Sequence, residues 1–196
     1  SRMAINSSPF AVPLGTAVPD VTLPDLDGNL HTPAELAKGR PLLVFFGCNH
    51  CPYVRHVESA LGALIAEYSP TDLAVVAISS NDIDQYPDDD VTGLLSQHER
   101  AGWQFPYLVD AEQAAAKAFN AACTPDFFLY DRVGSLAYRG AFDSSSPKND
   151  QPLTGELLRA AIDAVVANQP VLEPQRPARA CGIKWTPGNE PPTLNS

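Results

Sequence analysis

A chain of 196 residues with 44% apolar content is long enough for one domain with a sizeable core. Its formal charge of −10 argues against nucleic acid or an anionic membrane surface as the main partner. No apolar run approaches the ~20 residues that cross a bilayer, and four cysteines are too few for a disulfide scaffold.

The start, Ser1-Arg2-Met3-Ala4, shows no basic stretch leading into an apolar core, so no signal peptide is visible. Ser1-Arg2 ahead of Met3 reads as a cloning remnant. These features point to a cytoplasmic protein with working thiols. Residues 1–16 read as an arm, 17–170 as the domain, and 171–196 as a proline-rich tail. Val21 to Leu23 and Leu30 to Thr32 flank Asp-Gly at 27–28, a hairpin signal. Pro33 to Lys38 allows one helical turn, ended by Gly39. Pro41 to Phe46 is almost wholly apolar, as expected of a strand covered on both faces.

Val54, Val57, Leu61, Leu64, Ile65 and Tyr68 recur at steps of three and four, which predicts a helix reaching towards Pro70. Leu73 to Ser79 is a second buried strand. Strand, helix, strand at this spacing makes a right-handed βαβ unit with parallel strands. Residues 81–90 form an acidic loop with five aspartates. They read as solvated, with Asp90 capping a helix over Val91 to Ala101. Tyr107 to Val109 is a short strand and Ala111 to Ala122 a helix. Phe127 to Tyr130 and Leu136 to Phe142 form a hairpin about Asp131 to Gly134. Thr154 can cap a last helix running through Asn168. Six prolines from Pro170 onwards exclude regular structure for most of the tail, yet Cys181, Ile183 and Trp185 are apolar enough to pack.

The chemistry concentrates at Gly47-Cys48-Asn49-His50-Cys51-Pro52, between the first buried strand and the first long helix. Functional groups of α/β sheets gather at the carboxyl ends of strands. A helix N-terminus presents unpaired N–H groups and a positive dipole end, so a thiolate of either cysteine is stabilised there. Two thiols one turn apart can attack a target and then resolve the mixed disulfide internally. Both sulfurs are expected within bonding reach at the exposed mouth of the helix. A protonated His50 would lower a thiol pKa further and tilt the couple towards oxidation. Pro52 lacks an N–H, which costs nothing in a first turn. Half a zinc site would need a second ligand pair, and Cys123 and Cys181 are isolated in sequence, so no metal is expected. Cys123 reads as a buried structural residue and Cys181 as an apolar anchor; the other readings are a tail resolving thiol at Cys181, or its pairing with Cys123. Trp103 and Trp185 read as packing. His31, His56 and His98 show no ligand spacing.

Three motifs in order carry a resemblance: Cys48-Asn-His-Cys-Pro-Tyr53, Thr124-Pro-Asp-Phe-Phe-Leu-Tyr-Asp131 and Cys181-Gly-Ile-Lys-Trp185. The chain resembles the thioredoxin-like redoxins, in particular a peroxiredoxin-like group of the alkyl hydroperoxide reductase/thiol-specific antioxidant type. The resemblance implies an α/β thioredoxin fold: a central mixed sheet with helices on both faces, an N-terminal hairpin and an extended tail. It implies that Cys48 attacks and Cys51 resolves, with Thr124 and a cis Pro125 shaping the groove opposite. It implies a thiol–disulfide oxidoreductase acting on a protein or small-molecule disulfide, with an external thiol reductant and no bound cofactor. The alternative is a thiol-dependent peroxidase with Cys51 peroxidatic and Cys48 or Cys181 resolving. Against it, the peroxidase motif Pro-x-x-x-Thr-x-x-Cys would place Val44 and Cys48 where its proline and threonine belong, and Pro125 near its arginine. A third reading is a redox-sensing binding module without turnover. Oligomeric state is not legible.

Overall fold

A computed structural model describes residues 12–178 and 180–192; the start of the arm lies outside the described residues. The central sheet has five strands in the order β5 (Tyr107–Val109), β4 (Ala74–Ser79), β3 (Leu42–Phe46), β7 (Asp126–Tyr130) and β8 (Leu136–Gly140). The β3, β4 and β5 strands run parallel, while β7 lies antiparallel to β3 and β8 to β7. β1 (Leu23–Pro24) and β2 (Leu30–His31) pair as a separate hairpin.

The period-two alternation of β3 divides the core. Leu43 and Phe45 face one side with Val54, Val57 and Leu61 of α2 (Pro52–Ile65), and with Leu158, Ile162 and Val165 of α5 (Glu156–Val166). Leu42, Val44 and Phe46 face the other side with Ala115, Ala116 and Phe119 of α4 (Ala114–Phe119), beside α1 (Pro33–Ala37). Every residue of β3 is buried, which explains its unbroken apolar run. No helix among the described residues is long and apolar enough to cross a membrane.

Some boundaries differ from expectation. α2 ends at Ile65 rather than reaching towards Pro70, with Tyr68 carried past the helix to donate to Asp163 Oδ1 at 2.6 Å. The alanine-rich helix is shorter than 111–122, because Gln113 and Asn120 adopt left-handed backbone at its two ends. At α5 the N-cap is Gly155 with φ of 69°, while Thr154 Oγ1 accepts from the Glu156 N–H at 3.2 Å. Asp90 caps α3 (Val91–Arg100) by accepting from the Gly93 N–H at 2.8 Å.

The tail is held at several points. Ile183 and Trp185 are buried in the second core face. Two residues, Cys181–Gly182, form β9 and pair antiparallel with β6 (Cys123–Thr124).

Candidate active site

β3 delivers the chain to Gly47, and α2 begins at Pro52, so Cys48 lies in the turn and Cys51 is the helix N-cap. Opposite them runs β6, followed by the cis Thr124–Pro125 peptide. Cys48 Sγ lies 3.5 Å from Thr124 Oγ1, and Cys51 Sγ lies 3.4 Å from the Thr124 carbonyl oxygen. The fold therefore brings Cys48, Cys51, Thr124 and Pro125 together.

The expected exposed mouth is not there. Both sulfur-bearing residues are fully buried, at 0% exposure each. The cover is the tail: β9 pairs Cys181 with Thr124 and Gly182 with Cys123. Ala178 and Ala180 pack on Cys123 and Ala122, with Tyr53 against them. Cys181 is half-buried and packs against the core cluster that contains Cys48 and Cys51. Cys123 is buried, its Sγ 3.7 Å from the Pro125 carbonyl oxygen.

Cys51 is the thiol on which Cys181 and Cys48 both act, Cys181 more strongly, and their effect holds it well below the ordinary 9.0. Burial opposes that shift, while the Thr124 hydroxyl and the Val54 N–H assist it. The Thr124 carbonyl is the one neighbour suited to a protonated Cys51, since a thiolate cannot donate to it. The neighbouring thiols and the helix terminus favour the ionised form at Cys51, and the Thr124 carbonyl opposes it. Cys48 moves the other way: burial pushes it well above 9.0, helped by its bond to Cys51 and by the negative Asp89. Cys181 is likewise raised, through its bond to Cys51 and then burial.

Asp89 corrects the reading of residues 81–90 as solvated. Its carboxylate is buried and accepts from the Asn49 N–H at 2.7 Å, the His50 N–H at 2.9 Å, His50 Nδ1 at 2.5 Å and Asn81 Nδ2 at 3.1 Å. Burial works against its charge, yet the His50 and Asn81 donors outweigh it and keep its carboxyl below the usual 3.8. His50 is thus held by its carboxylate and stacks on Tyr86 at 4.7 Å between ring centres. The donor atoms of Cys48, His50 and Asp89 all lie within 4.8 Å of one another. Both Asp89 oxygens are already taken by N–H donors, and His50 turns Nδ1 to the carboxylate. The trio is therefore arranged as a hydrogen-bonded turn and does not open towards a cation.

Beneath the turn, Gln97 Nε2 donates to the Cys48 carbonyl at 2.8 Å, and Tyr107 donates to Gln97 Oε1 at 2.7 Å. Arg55 Nε donates to the Asn49 carbonyl at 2.6 Å, and Arg100 links Asn49 Oδ1 to Glu58, reaching the latter at 2.7 Å. Sequence reasoning singled out neither Asp89 nor Gln97 for the site. A usable signal was that Asn49 and His50 carry N–H groups in a buried turn that demand an acceptor. Beside Pro125 and Tyr53 lies a cavity of about 280 Å³, also lined by Phe142, Ser144 and Asn149.

A βαβ unit with two cysteines at its first turn, opposite a cis proline leading into an antiparallel hairpin, defines a thioredoxin-like redoxin. The AhpC/TSA family model matches residues 14–139, and the chain belongs to the AhpC/TSA family. It is a thioredoxin-like redox protein. No curated protein matches it. A hypothetical protein from Sinorhizobium meliloti 1021 is 46% identical, with a TM-score of 0.88 over 91% of this chain and 97% of that one. An uncharacterised conserved protein from Geobacillus kaustophilus is 44% identical, with a TM-score of 0.86 over 90% and 94%. A secreted Mycobacterium tuberculosis disulfide oxidoreductase homologous to Escherichia coli DsbE shares the fold at 20% identity and a TM-score of 0.58, over 74% of this chain and 96% of its own.

Proposed function

We propose that this chain is a thiol–disulfide oxidoreductase whose redox couple is Cys48 and Cys51, with Cys51 as the attacking thiolate. The observation that carries this reading is the placement of Cys51: helix N-cap, its Sγ 3.4 Å from the carbonyl of Thr124, which precedes cis Pro125. The resemblance implies attack by Cys48; this reading moves it to Cys51, which caps α2, while burial and the nearby Asp89 carboxylate push the Cys48 thiol up.

In the forward direction, with the tail lifted from the pair, the Cys51 thiolate displaces one sulfur of a substrate disulfide as a thiolate, forming a mixed disulfide. Cys48 then gives up its proton and attacks Cys51 Sγ. The second substrate thiol leaves, and a Cys48–Cys51 disulfide remains. Thr124 and Pro125 position the opposing wall. The substrate is a protein or small-molecule disulfide, and an external thiol restores the couple. The direction follows the reduction potential rather than the fold.

Turnover of glutathione disulfide or insulin disulfides with a dithiol reductant tests this. Activity is expected in the parent chain and lost in Cys51→Ser; activity unchanged in that variant overturns it. The peroxidase reading draws support from the same depressed Cys51 thiol and from the family. It predicts rapid sulfenate formation at Cys51 with hydroperoxide. Set against it are Val44 and Cys48 in the motif positions, and an Arg139 guanidinium engaged with Asp126 at 2.8 Å and the Asn120 carbonyl at 3.1 Å.

A further inference from the structure

Cys48 and Cys51 are sealed, whereas Cys181 is half-buried and reaches the same cluster from the outside. The strand that carries it is fixed on both sides. Upstream, the Ala141 N–H donates to the Arg176 carbonyl at 2.9 Å. Downstream, the Ile183 N–H donates to the Ala122 carbonyl at 3.1 Å, the Lys184 N–H to Asn81 Oδ1 at 2.8 Å, and the Thr186 N–H to Gln113 Oε1 at 3.0 Å. Trp185 is buried beyond them. The antiparallel register sets Cys181 against Thr124, the residue that also contacts Cys48 and Cys51. A segment held this firmly holds its cysteine in place over the pair.

We propose that Cys181 is the outward member of a three-thiol relay, exchanging with the buried couple through a Cys51–Cys181 disulfide. This rests on Cys51 being the redox-active thiolate of the preceding reading.

The chemistry balances without a further oxidant once the Cys48–Cys51 disulfide exists. Cys181 loses its proton and attacks Cys51 Sγ. The Cys48–Cys51 bond breaks, and Cys48 leaves as a thiolate that takes up a proton. The disulfide has moved to Cys51–Cys181 with no net redox change. An external thiolate then attacks Cys181 Sγ and expels Cys51 as a thiolate. The second thiol of the external dithiol displaces Cys181, which is protonated. The dithiol has become a disulfide, and all three protein thiols are regenerated.

Two features favour this route over direct attack on the buried pair. A thiol of low pKa leaves fastest, and Cys51 is the sulfur whose thiolate is stabilised. Cys181 is the sulfur of the three that an outside partner meets first. Lys184, three residues along, lowers the Cys181 thiol pKa and so aids its release of a proton, against the larger effect of its bond to Cys51.

The test is disulfide mapping. The parent chain, Cys48→Ser and Cys181→Ser are treated with glutathione disulfide, quenched in acid, alkylated and mapped by mass spectrometry. Their reduction by a dithiol is then timed. The Cys51–Cys181 crosslink is expected as the main intramolecular product in Cys48→Ser, and as a minor species in the parent, where no substitution can disturb folding. Cys181→Ser is expected to form the Cys48–Cys51 disulfide yet to be reduced roughly tenfold more slowly or worse, because its low-pKa leaving group is no longer reachable from outside. A Cys48→Ser chain carrying glutathione on Cys51 with no crosslink to Cys181 overturns the relay. So does reduction of Cys181→Ser at the parent rate. A parent chain that forms no disulfide at Cys51 overturns the preceding reading as well, so the two failures are distinguishable.

Discussion

Asp89→Asn isolates the group that pins the active turn. Its carboxylate accepts four N–H bonds in a buried setting, two from backbone and two from the side chains of His50 and Asn81. The amide keeps the shape but loses the charge, and one of its ends is a donor. With the amide oxygen towards the Asn49 and His50 N–H groups, the NH₂ faces His50 Nδ1 and Asn81. Two charge-assisted bonds, each worth ~1.5–3 kcal/mol, are weakened or lost, and tautomer change at His50 recovers part of this. The net expectation is about 2–4 kcal/mol, or a fall in Tm of roughly 4–16 °C.

The effect is pH dependent, and its sign is fixed. Asp89 in the folded protein titrates below 3.8, so its ionised form stabilises the fold above that value. This contribution drains away as pH drops below 3.8 towards the folded value. The variant has nothing to titrate there, so the gap between the two proteins is widest at neutral pH and narrows in acid. Guanidinium unfolding across that range measures it. A gap below ~1 kcal/mol at neutral pH, or one that fails to narrow in acid, refutes the account of the turn.

Gly93→Ala should be damaging far beyond an ordinary helix substitution, because the new Cβ would land on the Asp88 carbonyl oxygen and press on Asn49 Nδ2 at 3.1 Å. A loss of ~3 kcal/mol or more, read by denaturant unfolding, is expected, and a neutral result contradicts the packing of α3 on residues 87–89. Trp185→Ala should loosen the tail locally and speed alkylation of Cys51 in the native protein. Truncation of a buried tryptophan costs ~3–5 kcal/mol, here falling mainly on the attachment of residues 180–186. Unchanged alkylation would mean that the tail is not what seals the pair.

Much of the fold was legible because its signals are local. The apolar run from Pro41, the periodic apolar face of α2 and the Asp-containing turn at 131–134 each state a conformation within a few residues. The arrangement of Cys48 and Cys51 at the end of β3 followed from the same neighbourhood. The seal over them did not. β9 is only two residues long and draws its register from Cys123 and Thr124, far earlier in the chain, so nothing in its own composition marks it as a strand. Asp89 misled for a related reason. Among five clustered aspartates, composition argues for water, and only the N–H groups of Asn49 and His50, 39 or more residues away, select this one as the acceptor of the active turn. Pro125 stood out because proline before a strand is unusual, and the fold places it opposite the thiols.

The ultraviolet thiolate absorbance of the reduced protein, titrated with pH in the parent chain and in Cys51→Ser, bears most directly on where the reactive sulfur lies. A thiolate that persists in the parent well below the ordinary thiol range, and disappears in Cys51→Ser, is what a Cys51 thiol lowered by its neighbours demands. A parent chain with no thiolate at neutral pH, or one whose thiolate survives in Cys51→Ser, contradicts it.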